Sequence, residues 1–167
     1  MSEKIEILVD SLRVSLINQH RIILLKEKNG DLSLPLFIGQ FEAEAIVLSL
    51  QGIEISRPQT HDLILSSIKA LESRILYAEI TGMKAATFYA ELVVRNKEGG
   101  EVRIDCRPSD AIAAALRAHV PIYAGRELMD QYGIQPEPDV RTRGLNDQNT
   151  DGDDDSLSAF QDFLKQV

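Results

Sequence analysis

The chain has 167 residues, 44% of them hydrophobic, and a formal net charge of −8. That length and apolar share suit one globular domain with a real core, and the acidic balance excludes a globally basic surface for nucleic acid. The single cysteine, Cys106, excludes an internal disulfide and fits a reducing, intracellular setting.

The charge is uneven. Residues 145–167 hold six aspartates against Lys165, which is −5 of the −8, so the remainder of the chain is only mildly acidic. The start, Met1-Ser2-Glu3-Lys4-Ile5-Glu6, lacks a basic segment followed by an apolar one, so no signal peptide is expected. No apolar run approaches the ~20 residues of a membrane span. A cytoplasmic protein with no membrane association is the expectation.

Residues 5–17 alternate with a period near two and predict a strand, interrupted near Asp10-Ser11. Residues 21–26 predict a second strand and 32–38 a third, with Asn29-Gly30-Asp31 as the turn between them. Pro35 belongs on an edge or at a bulge. A helix is expected from Phe41 to Leu50, with Phe41, Ala45 and Leu48 on its apolar face. Gly52 stops it. Thr60 is placed to cap a second helix from His61, with Ile64, Ile68 and Leu71 as its stripe.

The pattern then returns. Residues 74–81 and 87–95 predict strands, the first broken near Gly82, and Lys97-Glu98-Gly99-Gly100 turns into a strand over 101–106. Pro108 has no N–H to leave unpaired and suits the first turn of a helix ending at His119. A short strand over 122–124 and a helical turn over 127–132, closed by Gly133, follow. Ile38-Gly39-Gln40-Phe41-Glu42-Ala43-Glu44-Ala45-Ile46 aligns with Ile104-Asp105-Cys106-Arg107-Pro108-Ser109-Asp110-Ala111-Ile112. Both run from strand through turn to an acid-Ala-Ile helix start, so an internal duplication of a three-strand, two-helix unit is expected. Residues 141–156 form an acidic linker by composition, and 157–167 a short segment with helical spacing. Asp147-x-Asn149-x-Asp151-Gly152 copies half of a calcium loop, but Ser158 stands where the closing Glu belongs.

Three groupings carry chemistry. Asp105, Arg107 and Asp110 put carboxylates and a guanidinium at one strand-to-helix junction, as metal-assisted phosphodiester chemistry requires. The alternative is an ion pair with Asp110 complementing the helix dipole. Arg57-Pro58-Gln59-Thr60-His61-Asp62 puts a cation, a titratable imidazole and a carboxylate at another helix start, or is a capped helix with surface charges. Glu42 and Glu44 sit beside Gly39 and are candidate metal carboxylates or plain first-turn acids. There is no dinucleotide or phosphate-loop glycine motif. Ser109 lacks a nucleophile-elbow context, and Cys106 is read as structural.

Leu34-Pro35-Leu36-Phe37-Ile38-Gly39 with Glu42-Ala43 and Ala45-Ile46, then Arg57 to Asp62, Thr87-Phe88-Tyr89-Ala90, and Asp105 to Ala113 together resemble the bifunctional nuclease family. They keep its order over roughly residues 5–132. The resemblance implies an α+β domain over residues 1–140, with a curved, barrel-like mixed sheet and helices packed on it, often dimeric, and cleavage of both RNA and DNA. Under that reading His61 is the general base, Arg57 and Arg107 stabilise phosphate charge, and Asp62 accompanies them. Asp105 and Asp110, with Glu42 or Glu44, would hold Mg²⁺ or Mn²⁺. The rival reading is a non-catalytic binding or regulatory module of the same fold, also a homo-oligomer, whose polar corners are structural.

Overall fold

The computed structural model describes residues 3–14 and 20–135. The expected end of the first strand at 15–17, the acidic linker over 141–156 and the terminal segment over 157–167 lie outside the described residues.

The described chain runs β1 (Lys4–Val14), β2 (Arg21–Glu27), β3 (Ser33–Ile38), α1 (Gln40–Leu50), α2 (Thr60–Ala70), β4 (Arg74–Lys84), β5 (Thr87–Arg95), β6 (Glu101–Cys106), α3 (Pro108–Ala118), β7 (Ile122–Gly125) and α4 (Arg126–Tyr132). The strands form one sheet in the order β3-β2-β1-β7-β4-β5-β6. Two antiparallel meanders, β1-β2-β3 and β4-β5-β6, flank β7, which is antiparallel to β1 and parallel to β4. The α+β class is as expected. The mixed sheet is open, with β3 and β6 as its two edges. Each meander ends on an edge strand that feeds a helix, α1 after β3 and α3 after β6. The second half adds β7 between its helices.

The interruptions predicted at Asp10 and Gly82 are irregularities within continuous strands. Pairing with β2 shifts register between Val9 and Ser11, and pairing of β4 with β5 shifts between Ile80 and Gly82. An extra residue on one strand bends it without ending it. Lys84 pairs with Thr87, so Ala85 and Ala86 alone make the hairpin turn. Their φ angles are 48° and 60°, the left-handed pair of a type I′ turn. Pro35 lies on edge strand β3, where a missing N–H is tolerated.

The core sits between the sheet and the helices. Ile7, Ile23, Leu25, Leu34, Leu36, Ile80, Leu92 and Ala124 come from the strands, and Ile46, Ile112 and Met129 from α1, α3 and α4. In α3, Ala111 through Ala115 are fully buried. Their small side chains let α3 approach β4 and β5 while α1 and α2 pack against it. That packing overrides part of the expected periodicity. Helix α1 buries Ala43, Ala45 and Ile46, and Phe41 points outward at 78% exposed. Ile68 of α2 packs on the core, whereas Leu71 is left exposed.

Candidate functional site

Three helix starts supply the site. Arg107 is the N-cap of α3 with extended backbone (φ −69°, ψ 147°), and Pro108 opens the helix behind it. The extended residue leaves its side chain free to fold back over the first turn. Arg107 Nε donates to Asp110 Oδ2 at 2.7 Å and Nη2 to Asp110 Oδ1 at 3.1 Å. The third arm, Nη1, lies 2.8 Å from Glu42 Oε1 in the first turn of α1. Asp110 Oδ1 also lies 3.1 Å from His61 Nε2, near the start of α2. Glu42, Arg107, Asp110 and His61 therefore form one chain of alternating acceptors and donors across the three helices.

Burial grades along that chain. The His61 side chain is 7% exposed and that of Asp110 25%, while Arg107 is 65% exposed. Burial alone would raise the Asp110 carboxyl, but the Arg107 fork and the His61 hydrogen bond outweigh it and hold the group below the usual carboxylate range. Hydrogen bonds from Arg107 to Asp110 and then to Glu42 fix the guanidinium in its charged form. Because Asp110 is ionised, His61 Nε2 carries the hydrogen between them. His61 Nδ1 is buried and has no hydrogen-bond partner among the described residues.

Gly39 makes room for this arrangement. A Cβ there would overlap Glu42 Oε2. The N-cap glycine of α1 thus lets the Glu42 carboxylate lie over the helix start within reach of Arg107.

Asp62, adjacent to His61, has a different partner. Its Oδ1 accepts from Arg117 Nε at 3.0 Å, and its Oδ2 accepts from the Gln59 N–H at 2.8 Å. The Arg117 side chain, 9% exposed, also donates to Gln59 Oε1, the Ala45 carbonyl and the Ala113 carbonyl. Asp110 and Arg117 are seven residues apart, two turns along one face of α3, and the start of α2 grips both. Sequence reasoning missed Arg117, since an arginine in a last helical turn ordinarily points to water. The available signal was its position four residues after Ala113, on the buried stripe.

The other candidates are separate. Asp105 and Arg57 are exposed and make no hydrogen bond or ion pair among the described residues. Glu44 is exposed and, among the described residues, accepts only from Gln40 Nε2 in its own helix. Cys106 is half-buried, and burial followed by the charges of Asp110 and Asp105 pushes its thiol up to about 11. Among the described residues no three His, Cys, Asp or Glu side chains converge as a metal site. The two carboxylates that do approach one another, Glu42 and Asp110, have Arg107 between them. This donor set does not fit a metal ion without displacement of Arg107.

What the grouping offers chemically is an anion site. Helix starts carry unpaired N–H groups and partial positive charge. Arg107 adds a formal cation that is rigidly held yet open to solvent. No described helix is long and apolar enough to cross a membrane.

Comparison with known proteins agrees with these motifs. The sequence model of the bifunctional nuclease domain matches residues 23–137. An uncharacterized protein of Mycobacterium tuberculosis is 38% identical over 162 residues, covering 97% of this chain and 94% of that protein. Bifunctional nuclease 1 of Oryza sativa subsp. japonica is 30% identical over 125 residues, 71% of this chain and 38% of the rice protein. Bifunctional nuclease 2 of Arabidopsis thaliana is 27% identical over 120 residues, 70% of this chain and 36% of the plant protein. The chain thus spans little more than a third of the plant proteins it matches. With the domain match covering more than half its length, the chain belongs to the bifunctional nuclease domain family.

Proposed function

We propose that this protein hydrolyses phosphodiester bonds in RNA and DNA, with Arg107 as the group that binds the phosphate. Family membership supports the activity class. The observation that carries the residue assignment is the state of Arg107, held by Asp110 and Glu42 at the meeting of three helix starts and still 65% exposed. A guanidinium already in place stabilises charge developing on phosphate oxygens without reorganising during the reaction. Asp110 and Glu42 act as positioning residues, and His61 positions Asp110. His61 does not serve as general base in this geometry, because Nε2 is engaged and Nδ1 is enclosed. Phe41 precedes Glu42 and is 78% exposed. An open aromatic ring beside a phosphate site suits a stacked base and so a single-stranded substrate.

No catalytic step is assigned to a metal ion, because Arg107 takes the place that Mg²⁺ or Mn²⁺ would need between the carboxylates. The test is degradation of single-stranded RNA and DNA by purified protein with Mg²⁺, with Mn²⁺ and with chelator. Arg107→Ala should lower the rate at least 100-fold while the thermal melt stays close to wild type. Equal degradation by variant and wild type would assign the activity to a contaminant and end the proposal.

A second reading rests on the enclosed His61 ring and the fully engaged carboxylates. It makes the same corner a nucleic-acid binding site without turnover. It predicts that Arg107→Ala weakens binding while wild-type protein leaves the strand intact.

A further inference from the structure

A guanidinium carries five N–H groups. Asp110 and Glu42 engage three of those on Arg107, one each on Nε, Nη2 and Nη1. Among the described residues, one N–H on Nη1 and one on Nη2 are left for a ligand. They suffice for one phosphate, and the charge around them sets which kind of phosphate fits.

Arg107 brings one positive charge into contact with two carboxylates, so the group of three is net −1. A helix start adds about half a positive charge. The starts of α1 and α3 each carry an acid in the first turn, Glu42 and Asp110, which offsets it. No lysine or second arginine contacts Glu42 or Asp110 among the described residues. A site of this balance accepts one negative charge and repels a second. An internal phosphodiester carries one. A phosphate monoester at a strand end carries about −1.5 to −2 at neutral pH, and its extra charge would face the two carboxylates.

We propose, resting on the phosphate role given to Arg107 above, that the site takes internal phosphodiesters and discriminates against terminal phosphate groups. The protein then cuts within single strands and needs no free end. Water's oxygen bonds to phosphorus, the P–O ester bond breaks, and the leaving oxygen takes a proton. The products are one hydroxyl end and one monoester end. The new monoester bears the second charge that Asp110 and Glu42 repel, so hydrolysis itself promotes release. Exposure agrees with this class of substrate. Arg107 is 65% exposed and Phe41 78%, which suits a strand that continues on both sides of the bound phosphate.

The first measurement compares a nucleoside 5′-monophosphate with its methyl ester, which share base and sugar and differ in phosphate charge. NMR titrations at low salt should show the methyl ester binding wild type at least threefold more tightly, and Arg107→Ala should lose both. Equal or tighter binding of the monophosphate overturns the proposal. Glu42→Gln keeps an oxygen for Arg107 and removes one negative charge, so the preference should shrink toward parity. An undiminished preference overturns the charge account. The second measurement is cleavage of circular single-stranded DNA beside the linear strand of the same sequence. Initial rates should agree within about twofold. A circle left intact while the linear strand is degraded overturns the proposal and leaves the nuclease reading standing. If neither strand is cut, the nuclease reading fails and cutting within strands fails with it, and a methyl-ester preference then speaks for a binding site alone.

Discussion

Asp110 of α3 and His61 of α2 meet at 3.1 Å, 49 residues apart in the chain, and that contact joins two helix starts that share no strand. Asp110→Ala removes the hydrogen-bond partner of a buried imidazole whose other nitrogen has none among the described residues. It also frees Arg107. Leaving a buried polar group unpaired costs about 1–3 kcal/mol, so urea unfolding should show a loss of that size. A change under about 0.5 kcal/mol would mean that His61 finds another partner.

The same carboxylate gives stability a pH dependence. Asp110 is held below its ordinary range in the folded protein, so the unfolded chain binds the proton more readily. Its contribution is complete above about pH 5 and is lost as pH falls through the folded-state value. Melting temperature measured from pH 7 down to pH 3 should fall less steeply in Asp110→Asn than in wild type. Parallel curves would locate the acid sensitivity in other carboxylates.

Arg117 is the strongest structural test. Its guanidinium serves Asp62, Gln59 and two backbone carbonyls, and it is almost enclosed. Arg117→Ala removes the charged donor to Asp62 Oδ1 and Gln59 Oε1 and the second donor to two helix carbonyls, and removing one partner of a buried ion pair costs about 3–5 kcal/mol. Asp62 keeps some contact with water, which places the expected loss near the lower figure. Arg117→Lys should recover only part of it, because an ammonium cannot span four acceptors with a planar fork. Full recovery by lysine would show that charge alone matters here.

These residues mark where sequence reading stops. Alternation, apolar runs and turn residues marked the strands, and Pro108 marked the start of α3, because those signals are local. His61, Asp62 and Asp110 were each singled out for chemistry at helix starts, but nothing local tells which starts adjoin. The division of His61 to Asp110 and Asp62 to Arg117 is a property of tertiary packing. Phe41 was placed inside because periodicity marks an apolar face without saying which neighbour receives it. Helix α1 packs on alanine-rich α3 with Ala43 and Ile46 buried and the Phe41 ring outside. The Ala85-Ala86 turn was missed because its conformation normally calls for Asn or Gly.

That turn carries its own prediction. Alanine in the left-handed region costs about 1–2 kcal/mol relative to right-handed geometry, and glycine recovers most of this while losing some unfolded-state entropy. Ala86→Gly should stabilise the protein by about 0.5–1 kcal/mol in chemical denaturation. A destabilisation would show that the methyl group has packing value not evident from the backbone.

The last prediction separates the fold from the site. Gly39 has φ −70°, a conformation alanine adopts freely, so the unfolded-state entropy removed with glycine offsets the preference for glycine over alanine at an N-cap. The obstacle to a side chain is Glu42, whose carboxylate occupies the space a Cβ would take. Gly39→Ala should therefore leave the melting temperature almost unchanged while moving Glu42 away from Arg107. If Glu42 holds Arg107 for phosphate, Gly39→Ala and Glu42→Ala should each lower kcat/KM on single-stranded nucleic acid by about tenfold. The double variant should be no worse than either, because both remove one interaction. Additive losses would separate the two residues, and an unchanged rate in Glu42→Ala would show that Asp110 alone suffices to hold the guanidinium.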